Sequence, residues 1–380
     1  MSKKERKTIA RIGIDSAVLD GLKTLCKDHN VDLKGMFKRL LVYSNLTGRI
    51  LSFPAAVTTE MYMDTITVMG YLHDWINNLS NNFEVVKNGK DIELIPEGGH
   101  TTPALIIGAG PSLKRKKHLE LLAEKGFEGK IFAVDAALKD CLEAGVIPDY
   151  TVFLDASDMI FDFVNYNIID EHQPAAIMNV CTHPKVVNRW KGDIYWYQTY
   201  LEEIFVPNVT SLIWDLTGKT AITPGGQCAS LGWMLAHVKK YNPIVLIGVD
   251  LSYPADMELE GTRLFKYYYE NKGNRDKEQT LKFFDKTYHH NFFNTDCKFD
   301  LTFDQYANIA KRQFKEMNEV GGRIINCTEG GTLEGEGIEC MCFEDLLKEW
   351  GELNPHNHHH ITHSSSPGKT EDGEGEKGRE

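Results

Sequence analysis

No apolar run in this chain of 380 residues approaches the roughly 18 or more consecutive residues that a membrane-spanning helix needs, so a helical span is excluded, though peripheral association is not. A cysteine framework is missing too. The eight cysteines (Cys26, Cys141, Cys181, Cys228, Cys297, Cys327, Cys340 and Cys342) are scattered, with no Cys-x-x-Cys and no second pair for a zinc site. No secretory signal pattern opens the sequence, and with scattered thiols this gives the expectation of a reduced, cytoplasmic protein. The chain also lacks an excess of positive charge. A net charge of −12 argues against wholesale nucleic-acid binding, yet the charge is uneven: +6 over residues 1–50, −3 over the last thirty and −15 between them. A basic head on an acidic body suggests two modules with different partners. With 42% hydrophobic residues, there is enough apolar material for one large α/β domain and a smaller one.

The stretch that organises the chain is Ala104-Leu-Ile-Ile-Gly-Ala-Gly-Pro-Ser-Leu113. Four apolar residues bounded by Pro103 and Gly108 fit a strand covered on both faces, and Leu113, Leu119, Leu121 and Leu122 have helical spacing. Gly108 and Gly110 have no Cβ, so the backbone can turn tightly and a ligand can come close. The following helix offers unpaired N–H groups and the positive end of its dipole, which predicts a phosphate cradle. Lys114, Arg115, Lys116 and Lys117 in its first turn are unfavourable there by about 0.3–1 kcal/mol each unless an anion occupies the turn; the plain alternative is solvated surface lysines.

Before this stretch, residues 8–14 read as a strand, followed by two helices carrying Val18, Leu19, Leu22 and Leu25, then Met36, Phe37, Leu40 and Leu41. This order over residues 1–50 resembles a ribbon-helix-helix module, which would pair two chains and lay their strands on DNA; the alternative is a helical cap or dimerisation element. Residues 51–100 read as a connector: a helix over 61–79, then a hairpin of Phe83–Val86 and Ile92–Ile95 around Asn88-Gly89.

From residue 101 to about 350, strands and helices alternate. Strands are expected at 131–134 ending in Asp135, at 150–154 ending in Asp155, at 175–180, at 194–197, at 244–248 leading to Asp250, and at 324–326. Such alternation implies a doubly wound, Rossmann-like parallel sheet, with ligands bound beyond the carboxyl ends of its strands. Asp135, Asp155, Asp250 and the Gly108 turn should share that rim. Each aspartate could equally cap a helix or form a turn. Gly225-Gly226 before a helix from Cys228 would give a second cradle. Residues 251–302 interrupt the rhythm with aromatic and polar sequence that reads as a lid, including His289-His290. Residues 351–380, with His356, His358–His360 and His363, read as a disordered tail.

Gly108-Ala-Gly-Pro-Ser-Leu113, Ile147-Pro-Asp-Tyr150 leading to Asp155, Gly225-Gly226, Gly248-Val-Asp-Leu251 with Tyr253, and Asn326-Cys-Thr-Glu-Gly-Gly331 together resemble the MptE-like family. That family includes archaeal 6-hydroxymethylpterin diphosphokinase and flagellar motility accessory factors that attach nonulosonic sugars to flagellin, on a fold similar to bacterial sialyltransferases. The resemblance spans about residues 104–343. It implies a nucleotide-dependent transferase, with a glycosyltransferase favoured: a sialic or nonulosonic-type sugar moved from a nucleotide-sugar donor to a hydroxyl on a protein or glycan. Nucleotide and substrate would then be held by Gly108, Gly110, Pro111, Ser112, Asp135, Gly225, Gly226, Asp250, Thr328, Glu329 and Gly330. His289 or His290 would be the base, Asp155 a further catalytic residue, and no cofactor would be needed. The alternative is pyrophosphoryl transfer by a Mg²⁺ and ATP-dependent diphosphokinase, with the metal on Asp135, Asp155 and Asp250. A third reading is nucleotide binding without turnover on a DNA-binding head.

Overall fold

The computed structural model describes residues 59–201, 209–266, 269 and 276–353. The strand-helix-helix reading of residues 1–50, with its DNA and dimer expectations, and the tail from residue 354 lie outside the described residues.

In chain order the first eight strands are β1 Lys90–Asp91, β2 Ala104–Ile107, β3 Lys130–Val134, β4 Tyr150–Phe153, β5 Ala175–Asn179, β6 Ile194–Thr199, β7 Ala221–Ile222 and β8 Ile244–Ile247. They are followed by β9 Tyr253–Pro254, β10 Lys286–His290, β11 Thr295–Phe299, β12 Ile324–Asn326 and β13 Glu339–Cys340. The main sheet runs β1-β6-β5-β4-β3-β2-β8-β12-β13, with β7 also paired to β6, and every one of these pairings is parallel. This is the doubly wound sheet expected. From β2 the chain moves outward to β6, then returns to the other side of β2 to lay down β8 and β12. The β2/β8 boundary is therefore the switch point, where ligands in such sheets bind.

Why these runs form central strands is visible in their burial. Every residue of β2 and β8 is buried, as a parallel sheet with helices on both faces requires. Alternation then assigns the two faces. Val152, Ile177 and Tyr197 join one core, while Phe153, Met178 and Trp196 join the other. The helices Cys228–Val238 and Leu301–Glu319 are tied by Trp233 Nε1 donating to Gln313 Oε1 at 2.9 Å and by a Trp233–Phe314 edge contact.

The region between 59 and 100 departs from the hairpin reading. A 30-residue helix, Thr59–Asn88, takes in Phe83–Val86, and Lys90–Asp91 joins the main sheet beside β6. Leu79, Phe83 and Val86 fall on one helical face against the second core, so this region is built into the sheet domain. Similarly, the last helix, Phe343–Leu353, continues past Trp350 into residues 351–353, where the disordered tail was expected. The interruption after β8 is itself folded: β10, β11 and β9 make an antiparallel sheet with a small core of Leu259, Phe265 and Phe284. Among the described residues, no helix is long and apolar enough to cross a membrane.

Candidate active site at the strand carboxyl ends

Because β2, β3, β4, β8 and β12 are parallel, Gly108–Ser112, Asp135, Asp155, Asp250 and Thr328–Gly330 all emerge on one rim. The Gly108 turn is differently built from the open cradle expected. Its Gly108 N–H donates to Ile247 O at 2.9 Å and its Gly110 N–H to Gly248 O at 2.8 Å. A Cβ on Gly108 would overlap Gly248 O, and one on Gly110 would overlap the Asp250 carboxylate. The glycines are needed because two turns of the chain lie against each other. Ser112, just after Pro111, gives its N–H to Asp250 Oδ1 at 3.2 Å and its Oγ–H to Asp250 Oδ2 at 2.7 Å. The place expected for a phosphate therefore holds the chain's own buried carboxylate. Burial pushes Asp250 up to about 7, with the Ser112 hydrogen bonds opposing.

The helix expected after Ser112 is also interrupted. Ser112–Arg115 is a single turn, Lys117 sits at φ 53°, and His118–Lys125 starts a new helix. The basic run is not aimed at one anion: Lys114 pairs with Asp140 at 3.0 Å, Arg115 with Asp256 at 2.9 Å and Lys116 with Glu329 at 3.8 Å. Exposed pairs of this kind are worth about 0–1 kcal/mol, so an anionic ligand can compete for these cations.

A cleft of about 310 Å³ lies at the switch point, with Ser112, Arg115, Lys116 and Asp250 on one side and Thr295, Asp296, Glu329 and Gly330 on the other. Glu329 adopts φ 60°, a left-handed conformation that non-glycine residues seldom take. Its Oε1 lies 3.2 Å from His118 Nε2 and accepts the Phe343 N–H, also at 3.2 Å. Thr328 lies deeper: its Oγ1 accepts the Val249 N–H at 3.3 Å, bracing β12 against the β8 turn.

The two histidines separate cleanly. Both lie in β10, where successive side chains take opposite faces. His290 is fully buried; its Nε2 lies 3.3 Å from Leu333 O, and its Nδ1 lies 3.3 Å from the Phe293 nitrogen and 3.0 Å from Glu334 Oε2. Burial pushes its pKa down despite the neighbouring Glu334. Complete burial argues against the expectation that His290 serves as base. His289 is half-exposed and faces its cross-strand partner Asp296, Nδ1 to Oδ1 at 2.9 Å. An ionised carboxylate only accepts, so Nδ1 carries a proton, and in the neutral imidazole the lone pair is on Nε2. Asp296 also lines the cleft.

The second cluster sits at the β3/β4 ends. Asp135 opens the helix Asp135–Glu143, buried, with Oδ1 accepting the Ala136 N–H at 2.7 Å. Burial pushes it up to about 7 and the Asp155 charge adds to this, while the Ala136 N–H and Arg263 oppose. Asp155 is exposed and accepts the Ser157 N–H at 2.9 Å. Arg263 comes from the folded interruption and lies 3.9 Å over the Phe163 ring. Gly225 and Gly226, at φ 76° and 91°, are packed under Gln313 and Tyr306, so the space a side chain would need is taken by the 301–319 helix. Asp250 is held apart by Ser112, and among the described residues no three His, Cys, Asp or Glu side chains are placed to share a metal ion.

Sequence reasoning missed Asp296, Thr295 and His118. Asp296 was findable in principle, since an antiparallel turn at Asn291–Asn294 pairs it with His289. His118 carried no local signal.

Residues 73–256 match the family model described as 6-hydroxymethylpterin diphosphokinase MptE-like. Among solved structures, the chain is similar to the structure of MAf glycosyltransferase from Magnetospirillum magneticum AMB-1, with a TM-score of 0.50 and 16% identity, over 74% of this chain and 41% of that one. At that identity the likeness is one of fold, and the chain spans less than half of that protein's length. No curated protein matches.

Proposed function

We propose that this chain, which carries an MptE-like region over residues 73–256, is a transferase that moves a sugar from a nucleotide-sugar donor to a hydroxyl acceptor. The single observation that carries the reading is the His289–Asp296 pair at the edge of the switch-point cleft. Asp296 would fix the neutral imidazole in the tautomer with its lone pair on Nε2, which could take a proton from an acceptor hydroxyl as the sugar leaves its phosphate, and would stabilise the imidazolium that results. Arg115 and Lys116, across the cleft, would neutralise that phosphate. A nucleotide monophosphate leaving group presents only one phosphate, so a metal is not required by this scheme. A sialic or nonulosonic-type sugar is the donor group we favour, by likeness to the motility accessory factors.

One observation favours a second reading. Asp135 and Asp155 lie close enough for one charge to raise the other's pKa, and two such carboxylates with substrate phosphates are a usual Mg²⁺ site. On that reading Mg²⁺ would supply charge neutralisation for pyrophosphoryl transfer from ATP.

Turnover assays with a CMP-sugar donor, and with ATP and a pterin alcohol, decide between them. Under the glycosyltransferase reading His289→Ala costs on the order of 10²–10⁴ in rate and EDTA does not abolish activity. EDTA-sensitive pyrophosphoryl transfer, lost in Asp155→Ala and retained in His289→Ala, would reverse the choice. Nucleotide binding without either turnover would leave only the binding reading.

A further inference from the structure

A second cleft lies on the same rim, on the β4/β5 side. It has a volume of about 550 Å³, within the roughly 300–1,000 Å³ of small-molecule sites. One wall is the helix Thr59–Asn88, through Asp74, Asn77 and Asn81; the other comes from Ser157 and Asp158 after β4 and from His183 after β5. The walls are fixed. Buried Asn78 donates to Ala156 O at 2.8 Å and Cys181 O at 3.0 Å, and buried Asn82 donates to Thr182 O at 2.7 Å, so the helix is pinned to both loops.

The polar groups in this cleft have defined roles. The Asn77 amide nitrogen is bonded to His73 Nε2 at 3.0 Å, and that of Asn81 donates to Asn77 O at 2.8 Å, which leaves both carboxamide oxygens as acceptors. His183 Nδ1 accepts the Lys185 N–H at 3.2 Å, so its proton is on Nε2, a donor. Asp74 and Asp158 are further acceptors, and the Ser157 hydroxyl does both. Among the described residues no Lys or Arg lines the cleft. Carboxylates without a cation repel phosphate, whereas a mixture of fixed donors and acceptors suits groups that donate and accept at once. Hydroxyls do.

From these observations we infer that the β4/β5 cleft binds a neutral, polyhydroxylated ligand, the saccharide part of an acceptor. Its role as an acceptor site rests on the glycosyltransferase reading; the binding itself does not. The placement fits that role. Neighbouring strands are spaced about 4.8 Å apart, so the β4/β5 end lies roughly 10–20 Å along the rim from the β2/β8 cleft, within the span of an oligosaccharide.

The test is saturation-transfer NMR on the full chain with glucose, galactose, N-acetylglucosamine and lactose, beside calorimetric titration with CMP and ATP. At least one saccharide should give transfer signals. The double variant Asn77→Ala/Asn81→Ala, both at exposed positions, should weaken its binding at least about ten-fold while nucleotide affinity stays within about two-fold. Ser157→Ala should weaken it in the same direction, which guards against a folding defect in the first variant. No signal from any of the four sugars, or signals unchanged in both variants, would overturn the site. Saccharide binding without nucleotide binding would leave it standing and sink the transferase reading; nucleotide binding without saccharide binding would do the reverse.

Discussion

Nε2 of His118 meets Oε1 of Glu329 at 3.2 Å, and the histidine has no exposed surface of its own. Its partner sits at φ 60° on the wall of the switch-point cleft, so a buried side chain from one side of the rim fixes the direction of a strained, cleft-lining carboxylate from the other. The relationship links residues 211 positions apart, through β2 and β12 on either side of β8.

Removing His118 leaves Glu329 with the Phe343 N–H and Lys116 as partners, and His118→Ala should lower stability by about 1–3 kcal/mol in urea titration. A pH test isolates the carboxylate. Burial raises the Glu329 pKa, but the His118 and Phe343 hydrogen bonds with Lys116 outweigh it, so it lies below its ordinary 4.5. A depressed folded pKa contributes stability above the unfolded value and loses it as pH falls through the folded one. The Tm advantage of the parent over Glu329→Gln should therefore be constant above about pH 5 and shrink below pH 4. An advantage that persists unchanged at pH 3 would contradict the ionised pairing.

Two glycines predict opposite signs. A Cβ on Gly110 would overlap Asp250 and lie 2.7 Å from Gly248 O, so Gly110→Ala should cost about 1–3 kcal/mol or more and disturb the rim as it does so. Gly70 lies exposed within the helix Thr59–Asn88 with nothing among the described residues within 4 Å of an added Cβ, so Gly70→Ala should stabilise by about 0.5–1 kcal/mol. Chemical denaturation of the two variants checks both. Loss of ligand binding in Gly110→Ala with parental stability would show that the turn is an open cradle after all.

The central strands were legible because Ala104–Ile107 and Ile244–Ile247 are apolar runs too short for a buried helix, each flanked by proline and ended by glycine. Placing Asp135, Asp155 and Asp250 on one rim followed from parallel topology alone. What the pattern could not carry was pairing at a distance. Asp250 fills the Gly108 turn from 138 residues away, so nothing near Ser112 announces it. Phe83–Val86 is a four-residue run with no intrinsic preference decisive enough to separate strand from helix, and the apolar face it shares with Leu79 settled it in the fold. Lys286-Thr-Tyr-His-His290 is too polar to read as a strand, and without the strand the opposite fates of His289 and His290 were hidden.

Asp135 supplies a test of the β3/β4 cluster. Its pKa is pushed up to about 7, first by burial and then by the Asp155 charge. The sign is opposite to that of Glu329. Between the ordinary 3.8 and about 7 the folded chain holds a proton that the unfolded chain has released, so stability falls as pH rises through this window, and the full penalty stands above it. Asp135→Asn removes the titration and keeps an oxygen for the Ala136 N–H. The variant should match the parent near pH 4 and exceed it at pH 8, by on the order of 1–4 kcal/mol. Magnesium makes the same comparison informative about chemistry. If Asp135 and Asp155 hold the ion in the presence of ATP, Mg²⁺-ATP should raise the parent's Tm above pH 7 and leave Asp135→Asn unmoved, because a cation supplies what burial withholds. Equal Tm values for the two proteins at both pH 4 and pH 8 would mean that Asp135 is not held in a desolvated site, and the metal reading would lose the observation that favours it.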